Sequence, residues 1–369
     1  MDKKLKIKIM TIIDPNFNYG NYLQNYAVKT VIDNLAGADA ATISFEKPAG
    51  KVWKNDIKYL IHRITGFKHA GNKEYWIKYP LNKKKRKKFM KFRDMYINTE
   101  PVESCSQLGS DDYYVIGSDQ VWNPLWYPYS PLKRDMFLLT FAKLEQKVCF
   151  SPSFGLERLP EEWENWFREY LSKFDMISVR EDAGADIVKE LTGKKATVLI
   201  DPTMMLCADD WRKISKKPKR IDCDRPYILT YFLGEKSKRA EEDLKRLSSE
   251  NNAVVYNLLD IRDKDMYMAD PGEFVYLFEH AKLILTDSFH ACVFSFIFDR
   301  PFLVYARQDN HGNMMSRLNT LLSKFDLERK YVDSGLDNEV LECDYTNGHN
   351  ILIEEQKKVD DFLRKSMKL

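Results

Sequence analysis

The chain has 369 residues, of which 44 % are apolar and 13 % aromatic, enough for two ordinary domains and too many for a disordered protein. Its 58 Lys and Arg nearly balance its 55 Asp and Glu, and this net charge of +3 argues against a dedicated nucleic-acid binder. Six scattered cysteines without a C-x-x-C pair favour reduced thiols, and neither Cys nor His clusters at the spacing of a metal site.

Short apolar strands alternate with helical patterns along the chain, which predicts parallel sheets. The first series of strands lies at 7–13, 40–45, 113–116, 147–151, 176–179 and 197–200, and a second series begins near 227 after a Lys-rich connector. We therefore predict a GT-B-like α/β fold of two Rossmann-like domains whose parallel sheets face a central cleft. The predicted boundaries are 1–205, 206–345 and a C-terminal helix in 346–369. The active site is expected in the cleft, at the carboxyl ends of the strands.

Residues 47–97 interrupt this alternation with a basic, aromatic-rich segment that includes NKKKRKKFMKFRDMY. Phe89, Phe92 and Tyr96 share a helical face, which favours a solvated helix docked by its aromatic rings. The alternatives are a peripheral contact of Lys83–Lys88 with anionic lipid at the inner face of a membrane and, more weakly, contact with nucleic acid. No run approaches the roughly 20 apolar residues of a membrane-spanning helix, so we expect a soluble protein that at most lies on a membrane. The reduced thiols favour the cytoplasm.

The stretch LILTDSFHACVFSFIF places polar residues between a predicted strand and an apolar helix. Asp287 or Ser288 can cap that helix, while Thr286 helps to shape the turn. The free N–H groups of the first helical turn attract phosphate or carboxylate, and His290 lies beside them as a candidate proton donor. The structural alternative is a helix cap followed by a packed histidine.

Two other strand ends carry polar residues that are candidates for the site. VIGSDQVWNP places Asp119 where it can act as a general base or hold an acceptor hydroxyl, and Trp122 where it can stack on a sugar or fill the core. NYGNYLQ lacks the full G-x-G-x-x-G spacing of a dinucleotide site, so we interpret it as an amide-rich loop for polyol or phosphate, or as a plain helix start.

Two arginines are candidates for anion binding. Arg180 directly follows the strand of ISVRED and can clamp a carboxylate or phosphate, or form a salt bridge with Glu181 or Asp182. Arg317, in MMSRLNTLL, opens a helix and can add a second positive charge. SPSFG also ends a strand and brings hydroxyl groups to the predicted cleft.

This set of stretches, in this order, resembles the polysaccharide pyruvyl transferase family. The matching stretches are NYGNYLQNYA, VIGSDQVWNP, SPSFG, ISVRE, LIDPTMML, LILTDSFHACVFSFIFDRPF and SRLNTLL…FDLERKY. Where the family usually has Gly-Thr after the histidine, this sequence has Ala291 and Cys292, and residues 47–97 match no family motif.

The resemblance implies transfer of an enolpyruvyl-derived unit from phosphoenolpyruvate to a sugar, giving a pyruvate ketal in a bacterial capsule or exopolysaccharide. Phosphoenolpyruvate would be a co-substrate, without cofactor or metal, and the acceptor a polysaccharide or its lipid-linked precursor. His290 would be the acid and Asp119 the base. The donor-binding residues implied are Arg180, Ser288, Phe289 and Arg317. The acceptor-binding residues implied are Asn18, Asn21, Gln24, Ser118, Gln120, Trp122 and Ser153.

Two other functions fit the same predicted cleft. A GT-B glycosyltransferase that uses a nucleotide sugar would also need anion sites there, together with a base-recognition pocket. A non-catalytic protein that binds sugars or anions is the second alternative.

Overall fold

The strands of the protein lie close to their predicted positions. A computed structural model describes residues 4–13, 17–44, 53–65, 73–126, 131–308, 315–332, 341 and 343–369. Its strands, in chain order, are β1 Ile7–Met10, β2 Ala41–Ser44, β3 Thr99–Pro101, β4 Tyr113–Ile116, β5 Lys147–Cys149, β6 Ser178–Val179, β7 Thr197–Val198, β8 Tyr227–Tyr231, β9 Val254–Asn257, β10 Leu283–Thr286 and β11 Phe302–Val304.

Helices separate most of these strands. In chain order they are α1 Tyr19–Ala36, α2 Trp53–Ile64, α3 Lys73–Tyr96, α4 Pro131–Phe137, α5 Glu161–Leu171, α6 Asp182–Thr192, α7 Ala208–Arg212, α8 Lys238–Glu250, α9 Lys264–Tyr267, α10 Pro271–His280, α11 Phe289–Ile297, α12 Met315–Lys324 and α13 Thr346–Met367. None of the helices in the described ranges is both long enough and apolar enough to cross a membrane.

The strands form two main parallel sheets, which confirms the predicted α/β architecture. The first has the order β3-β2-β1-β4-β5 and the second the order β11-β10-β8-β9, while β6 and β7 form a small sheet of their own. In each main sheet the first strand lies inside and the chain runs outward on both sides, which is doubly wound topology. The carboxyl ends of β1 and β4, and those of β8 and β10, therefore lie at the middle of their sheets.

Aromatic packing and hydrogen bonds join the two halves of the chain. Tyr19 of α1 stacks on Phe274 of α10 at a centroid distance of 4.8 Å, and its hydroxyl donates to the carbonyl of Ala269 at 2.8 Å. Helix α13 returns to the first half, where the hydroxyl of Tyr113 donates to the carbonyl of Met367. The last strand of the first main sheet is β5 and the first of the second is β8, with the small sheet of β6 and β7 between them in sequence. The boundaries at 205 and 345 stay predictions.

Helices α2 and α3 lie in the segment that interrupts the alternation. Phe89 and Phe92 are buried, as their shared helical face predicted, and the Phe89 ring lies 5.1 Å from that of Tyr19. The predicted insert also includes residues 47–52 and 66–72, which lie outside the described residues.

The basic run 83–88 is not a uniformly solvated face. Lys83 pairs with Asp56 at 2.6 Å, and Lys88 pairs with Glu273 at 2.9 Å. Lys85 is buried, and Lys84, Arg86 and Lys87 are exposed. The peripheral membrane contact of Lys83–Lys88 stays a prediction, and Lys85 could not take part in it through its own side chain because that side chain is buried.

Lys85 occupies an aromatic environment near the middle of α3. Its ammonium lies 4.8 Å from the ring centroid of Tyr19, 5.6 Å from that of Phe89 and 4.6 Å from that of Tyr267. Burial, reinforced by the charge of Lys88, lowers the pKa of Lys85 to about 7. The three ring faces act in the opposite direction, because they attract the charged form.

Candidate active site

Polar side chains from both halves of the chain form a buried cluster next to the ends of the central strands. They follow β1, β4, β6, β7 and β10 or lie on the helices that begin nearby. Each is at most 8 % exposed, and the set comprises Thr11, Asn21, Gln24, Ser118, Asp119, Gln120, Arg180, Glu181, Asp201, Asp287, Ser288, His290 and Arg317.

Arg180 is the central cation of this cluster. Its Nη1 lies 2.6 Å from Oδ2 of Asp201, and its Nη2 lies 3.5 Å from Oδ1 of Asp119. The guanidinium carbon also lies 4.7 Å from the ring centroid of Phe289 at the start of α11. Burial alone would lower the pKa of Arg180, but the neighbouring carboxylates outweigh it and raise that pKa. Arg180 therefore stays charged in the interior.

Asp201 holds Arg180 and approaches His290. Its Oδ1 accepts bonds from the backbone N–H of Thr203 at 3.0 Å and from the Thr203 hydroxyl at 2.7 Å. Its Oδ2 receives Arg180 and lies 3.2 Å from the hydroxyl oxygen of Ser118. Burial would raise the pKa of Asp201, but Arg180, His290 and Thr203 together lower it, so this residue is a carboxylate.

His290 lies in the first turn of α11 and contacts the first half of the chain. Its Nε2 is 3.9 Å from Oδ2 of Asp201, and its ring packs against Gly20 at the start of α1. A Cβ atom placed on Gly20 would lie only 2.2 Å from Nδ1 of His290. Only glycine allows the imidazole to occupy this position.

The charge of His290 depends on what lies beside it. Burial is the largest influence and lowers its pKa, and Arg180 and Arg317 act in the same direction. Asp201 and Asp119 oppose them without reversing the shift. The imidazole is therefore neutral near pH 7 in this structure, and a bound anion would favour its protonated form.

Asp119 is held in place at the end of β4. Its side chain accepts bonds from the Asn21 amide and from the backbone N–H of Gln120, the latter at 2.8 Å. Its backbone adopts the left-handed region with φ of 65°, which aspartate tolerates better than most residues. These contacts fix the carboxylate next to Arg180.

Several donors in the cluster have no hydrogen-bond partner within the described part of the chain. They are Nε2 of Gln24, Nε and Nη2 of Arg180, and Nε2 of His290, which can donate or accept according to its tautomer. A buried polar group without a partner costs about 1–3 kcal/mol. An acceptor-rich ligand would relieve that penalty, so the cluster is suited to an anion.

Arg317 adds to the positive charge at this position. Burial lowers its pKa to about 10, and the nearby Arg180 contributes to the shift, while Asp119 and Glu181 oppose it. Arg307 is a further positive neighbour that sequence reasoning did not find. The crowding of these guanidinium groups favours a ligand with more than one negative charge.

The polar turn after β10 differs in detail from its prediction. Asp287 does not cap α11, because its carboxylate accepts the backbone N–H groups of Leu233 and Gly234 at 2.7 and 2.8 Å. Ser288 is the residue before the helix, but its side chain makes no capping bond. The hydroxyl of Thr286 accepts the N–H of Ser288 at 3.0 Å and shapes the turn.

Three predicted acceptor residues have structural contacts instead. Trp122 is fully buried and donates to the carbonyl of Phe137 at 2.8 Å, so it fills the core and cannot stack on a sugar. Ser118 donates to the carbonyl of Ser151 at 2.7 Å, and Ser153 donates to Oε1 of Glu181 at 3.0 Å. Both serines are fully buried, and their hydroxyls position other groups of the cluster.

The remaining predicted acceptor residues line the first half of the cluster. Asn18 caps α1 by accepting the N–H of Gly20 at 2.9 Å, as expected of a helix start. Asn21 reaches Asp119, and the side-chain oxygen of Gln24 accepts the hydroxyl of Thr11 at 2.9 Å. Gln120 accepts the side-chain amide of Asn123 at 2.8 Å.

Sequence reasoning missed Asp201, Glu181 and Gly20 as parts of the site. Glu181 accepts the N–H groups of Phe154 and Gly155 through Oε1. Asp201 was visible in LIDPTMML as an acidic residue shortly after a strand, three positions after β7, just as Asp119 lies three positions after β4. Among the described residues, no group of three His, Cys, Asp or Glu side chains is arranged to hold a metal ion.

Comparison with known proteins gives one family and several distant structures. The family model described as polysaccharide pyruvyl transferase matches residues 18–310. No curated protein matches the chain in sequence.

The solved structures that resemble it differ strongly in sequence. UDP-GlcNAc 2-epimerase from Neisseria meningitidis, bound to UDP-GlcNAc, has 9 % identity and a TM-score of 0.47 over 98 % of this chain and 94 % of its own. A glycosyltransferase from Rickettsia africae has 9 % identity and a TM-score of 0.43 over 100 % of both chains. An Anabaena protein in complex with UDP and glucose has 10 % identity and a TM-score of 0.45 over 99 % of this chain and 100 % of its own.

Proposed function

Because its residues 18–310 match that family model, the chain belongs to the polysaccharide pyruvyl transferase family, and we propose that it forms a pyruvate ketal on a sugar with phosphoenolpyruvate as the donor. The acceptor would be a sugar of a cell-surface polysaccharide or of its lipid-linked precursor.

The observation that carries the donor assignment is the set of buried donors without hydrogen-bond partners among the described residues. Nε and Nη2 of Arg180 and Nε2 of His290 lie beside a helix start, in a cluster with Arg317. Phosphoenolpyruvate has a carboxylate and a phosphate, and arginine forks and helix N-termini bind both kinds of anion. Ser288 and Phe289, at the start of α11, would line the same position.

His290 would deliver the proton that starts the reaction. Phosphoenolpyruvate would raise the lowered pKa of the imidazole, because it brings negative charge next to the ring. Protonation of the methylene carbon gives a methyl group and an electrophilic central carbon. Fixed charges near that carbon stabilise the developing cation without rearrangement of solvent.

Two acceptor hydroxyls then complete the ketal. The first attacks the central carbon, and the second displaces phosphate from it, so that two C–O bonds form and one breaks. Of the two protons released, one restores His290 and the other leaves on inorganic phosphate. Asp119, fixed by Asn21, would accept a proton from the attacking hydroxyl, and Gln24 and Gln120 would face the sugar. The proposal requires no metal and no organic cofactor.

Phosphate release tests this function directly. The purified chain is incubated with phosphoenolpyruvate and candidate acceptor oligosaccharides, and in parallel with nucleotide sugars. Acceptor-dependent release of phosphate, together with a product heavier by one pyruvate ketal, would support the proposal. Transfer from a nucleotide sugar would instead identify a glycosyltransferase. Binding of phosphoenolpyruvate without release for any acceptor would favour a non-catalytic anion-binding protein.

A further inference from the structure

Helix α2 exposes an apolar stripe. Ile57, Leu60, Ile61 and Ile64 are 46 %, 52 %, 53 % and 85 % exposed. Their spacing of three and four residues places them on one side of the helix. Four large aliphatic side chains in one exposed row exceed the scattered apolar residues of an ordinary surface.

The opposite side of α2 packs on α3. The ring of Tyr59 lies 5.5 Å from that of Tyr79, and the ring of His62 lies 4.9 Å from that of Trp76. The hydroxyl of Tyr79 also donates to Asp56 at 3.0 Å. Helix α2 is thus docked by its polar and aromatic side, and its apolar stripe faces away from α3.

The positive charge of the chain is concentrated in these two helices. Together α2 and α3 contain thirteen Lys and Arg against three Asp and Glu. The rest of the chain has 45 basic against 52 acidic residues, so the overall +3 conceals a pair of helices with a net charge of +10. The exposed basic residues include Lys58, Arg63, Lys84, Lys87 and Lys91.

The exposed basic residues lie on the helix of the stripe and on one face of the helix packed against it. Lys58 follows Ile57 by one residue and Arg63 precedes Ile64 by one residue. Since each residue turns an α-helix by about 100°, the two side chains lie on opposite flanks of the stripe. Lys84, Lys87 and Lys91 recur at intervals of three and four, so they share one face of α3. An aliphatic row bordered by cations is the pattern of a helix that lies in the interface of an anionic membrane.

We propose that α2 and α3 form a membrane-binding surface, with the stripe of α2 inserted among the lipids and the basic residues on anionic headgroups. A second copy of the chain is a poorer occupant, because it would bring another ten positive charges to the same contact. An anionic bilayer complements both features at once. Each basic residue near such a surface contributes about a factor of five in binding, and salt weakens the attraction.

This surface is connected to the candidate active site. Helix α3 packs on α1 through Phe89 and Tyr19, and Tyr19 precedes Gly20, which contacts His290. The use of the surface rests on the proposed function, because it would hold the enzyme beside a lipid-linked acceptor. Its binding to lipid is measured without turnover, so either proposal can fail while the other stands.

The experiment is co-sedimentation of the full chain with vesicles of phosphatidylcholine alone and of phosphatidylcholine mixed with phosphatidylglycerol. The wild type should pellet with the mixed vesicles at low salt and detach as salt rises. The variant Ile57→Ser/Leu60→Ser/Ile61→Ser/Ile64→Ser should bind at least about a hundredfold more weakly. The variant Lys84→Gln/Lys87→Gln/Lys91→Gln should also lose about a hundredfold.

A matched control replaces exposed apolar residues elsewhere. Leu144 and Ile353 are 52 % and 66 % exposed, and Leu144→Ser/Ile353→Ser should bind vesicles like the wild type. Equal pelleting of the wild type and the stripe variant would overturn the proposal, as would equal binding to both kinds of vesicle. The proposal would also fail if sedimentation velocity showed that the wild type is a dimer, that the stripe variant is a monomer, and that neither protein binds lipid. Release of phosphate with a water-soluble acceptor should be the same in all four proteins.

Discussion

The contact between Gly20 and His290 gives the sharpest test of the candidate active site. In Gly20→Ala, the new methyl carbon would lie 2.2 Å from Nδ1, 2.6 Å from Cε1 and 2.8 Å from Cγ of the imidazole. An ordinary contact of this kind is 3.4–4 Å. The ring must therefore move by about 1.2 Å, the difference between 3.4 and 2.2 Å.

A displacement of this size should reduce catalysis much more than stability. Misplacing a reacting group by about 1 Å costs about a hundredfold in rate, or about 2.7 kcal/mol of activation free energy. Overpacking costs about 1–3 kcal/mol of folding stability, and the preference of a helix for Ala over Gly returns up to about 1 kcal/mol. We expect kcat/KM to fall about a hundredfold and the free energy of unfolding by less than about 2 kcal/mol.

A double-mutant cycle decides whether the effect passes through His290. In a His290→Ala background there is no ring to displace, so adding Gly20→Ala should reduce the remaining rate by less than twofold. As a control, Gly184→Ala also changes a glycine in the first turn of a helix, where the nearest atoms would be 3.3 Å away. It should keep near-normal activity. A hundredfold loss from Gly20→Ala in the His290→Ala background would refute the reasoning.

Four further predictions concern three charged residues. His290→Gln should bind phosphoenolpyruvate within about tenfold of the wild type, while turnover falls at least about a hundredfold, as stopped-flow phosphate release would measure. Because burial lowers the pKa of His290 in the free protein, kcat/KM should rise as the pH falls below 6.5. The pH-dependent rise of kcat, which reports the enzyme with donor bound, should occur at higher pH than that of kcat/KM. If both rise over the same pH range, the result counts against the acid role. Arg180→Lys keeps the charge but loses the fork, so calorimetry should show donor affinity reduced about ten- to a hundredfold, and unchanged affinity would exclude Arg180 from the donor site. Lys85→Met should raise the free energy of unfolding, measured in urea, by a few kcal/mol at pH 6 and by little at pH 10.5. The reason is that the pKa of Lys85 is about 7 in the folded protein and 10.5 in the unfolded one, so the cost of burying the charged lysine disappears as the pH rises between these values. A Met variant less stable than the wild type at pH 6 would mean that attraction to the aromatic rings outweighs the cost of burial.

The sheets and the main polar positions could be predicted because both depend on local patterns. Apolar runs separated by helical periodicity imply parallel strands, and parallel strands bring their carboxyl ends to the same edge. Arg180 follows such a strand directly, Asp119 lies three residues after the end of another, and His290 lies in the helix after a third. Their meeting in one cluster therefore follows from topology, without knowledge of any side-chain contact.

The environment of each side chain could not be predicted in the same way. In the run 83–88 every residue is Lys or Arg, yet Lys85 is buried and Lys84 is exposed. The difference arises from docking of α3 on Tyr19 and Tyr267, which are distant in sequence. Trp122 was open to two interpretations for the same reason, since a tryptophan after a strand can face a cleft or the core.

The position of His290 shows why the site needs both halves of the chain. The imidazole is on α11 of the second half, whereas Gly20 and Asp201 come from the first. Separation of the halves would expose His290 to water and remove the burial that lowers its pKa, so a larger fraction of the free protein would carry a protonated ring. In the packed structure burial lowers the pKa of the ring, so in the proposed reaction an anionic donor that binds beside it would couple its own binding to protonation of His290. The apolar contact of Tyr19 with Phe274 holds the halves together beside this ring, and so would preserve the burial on which that coupling depends.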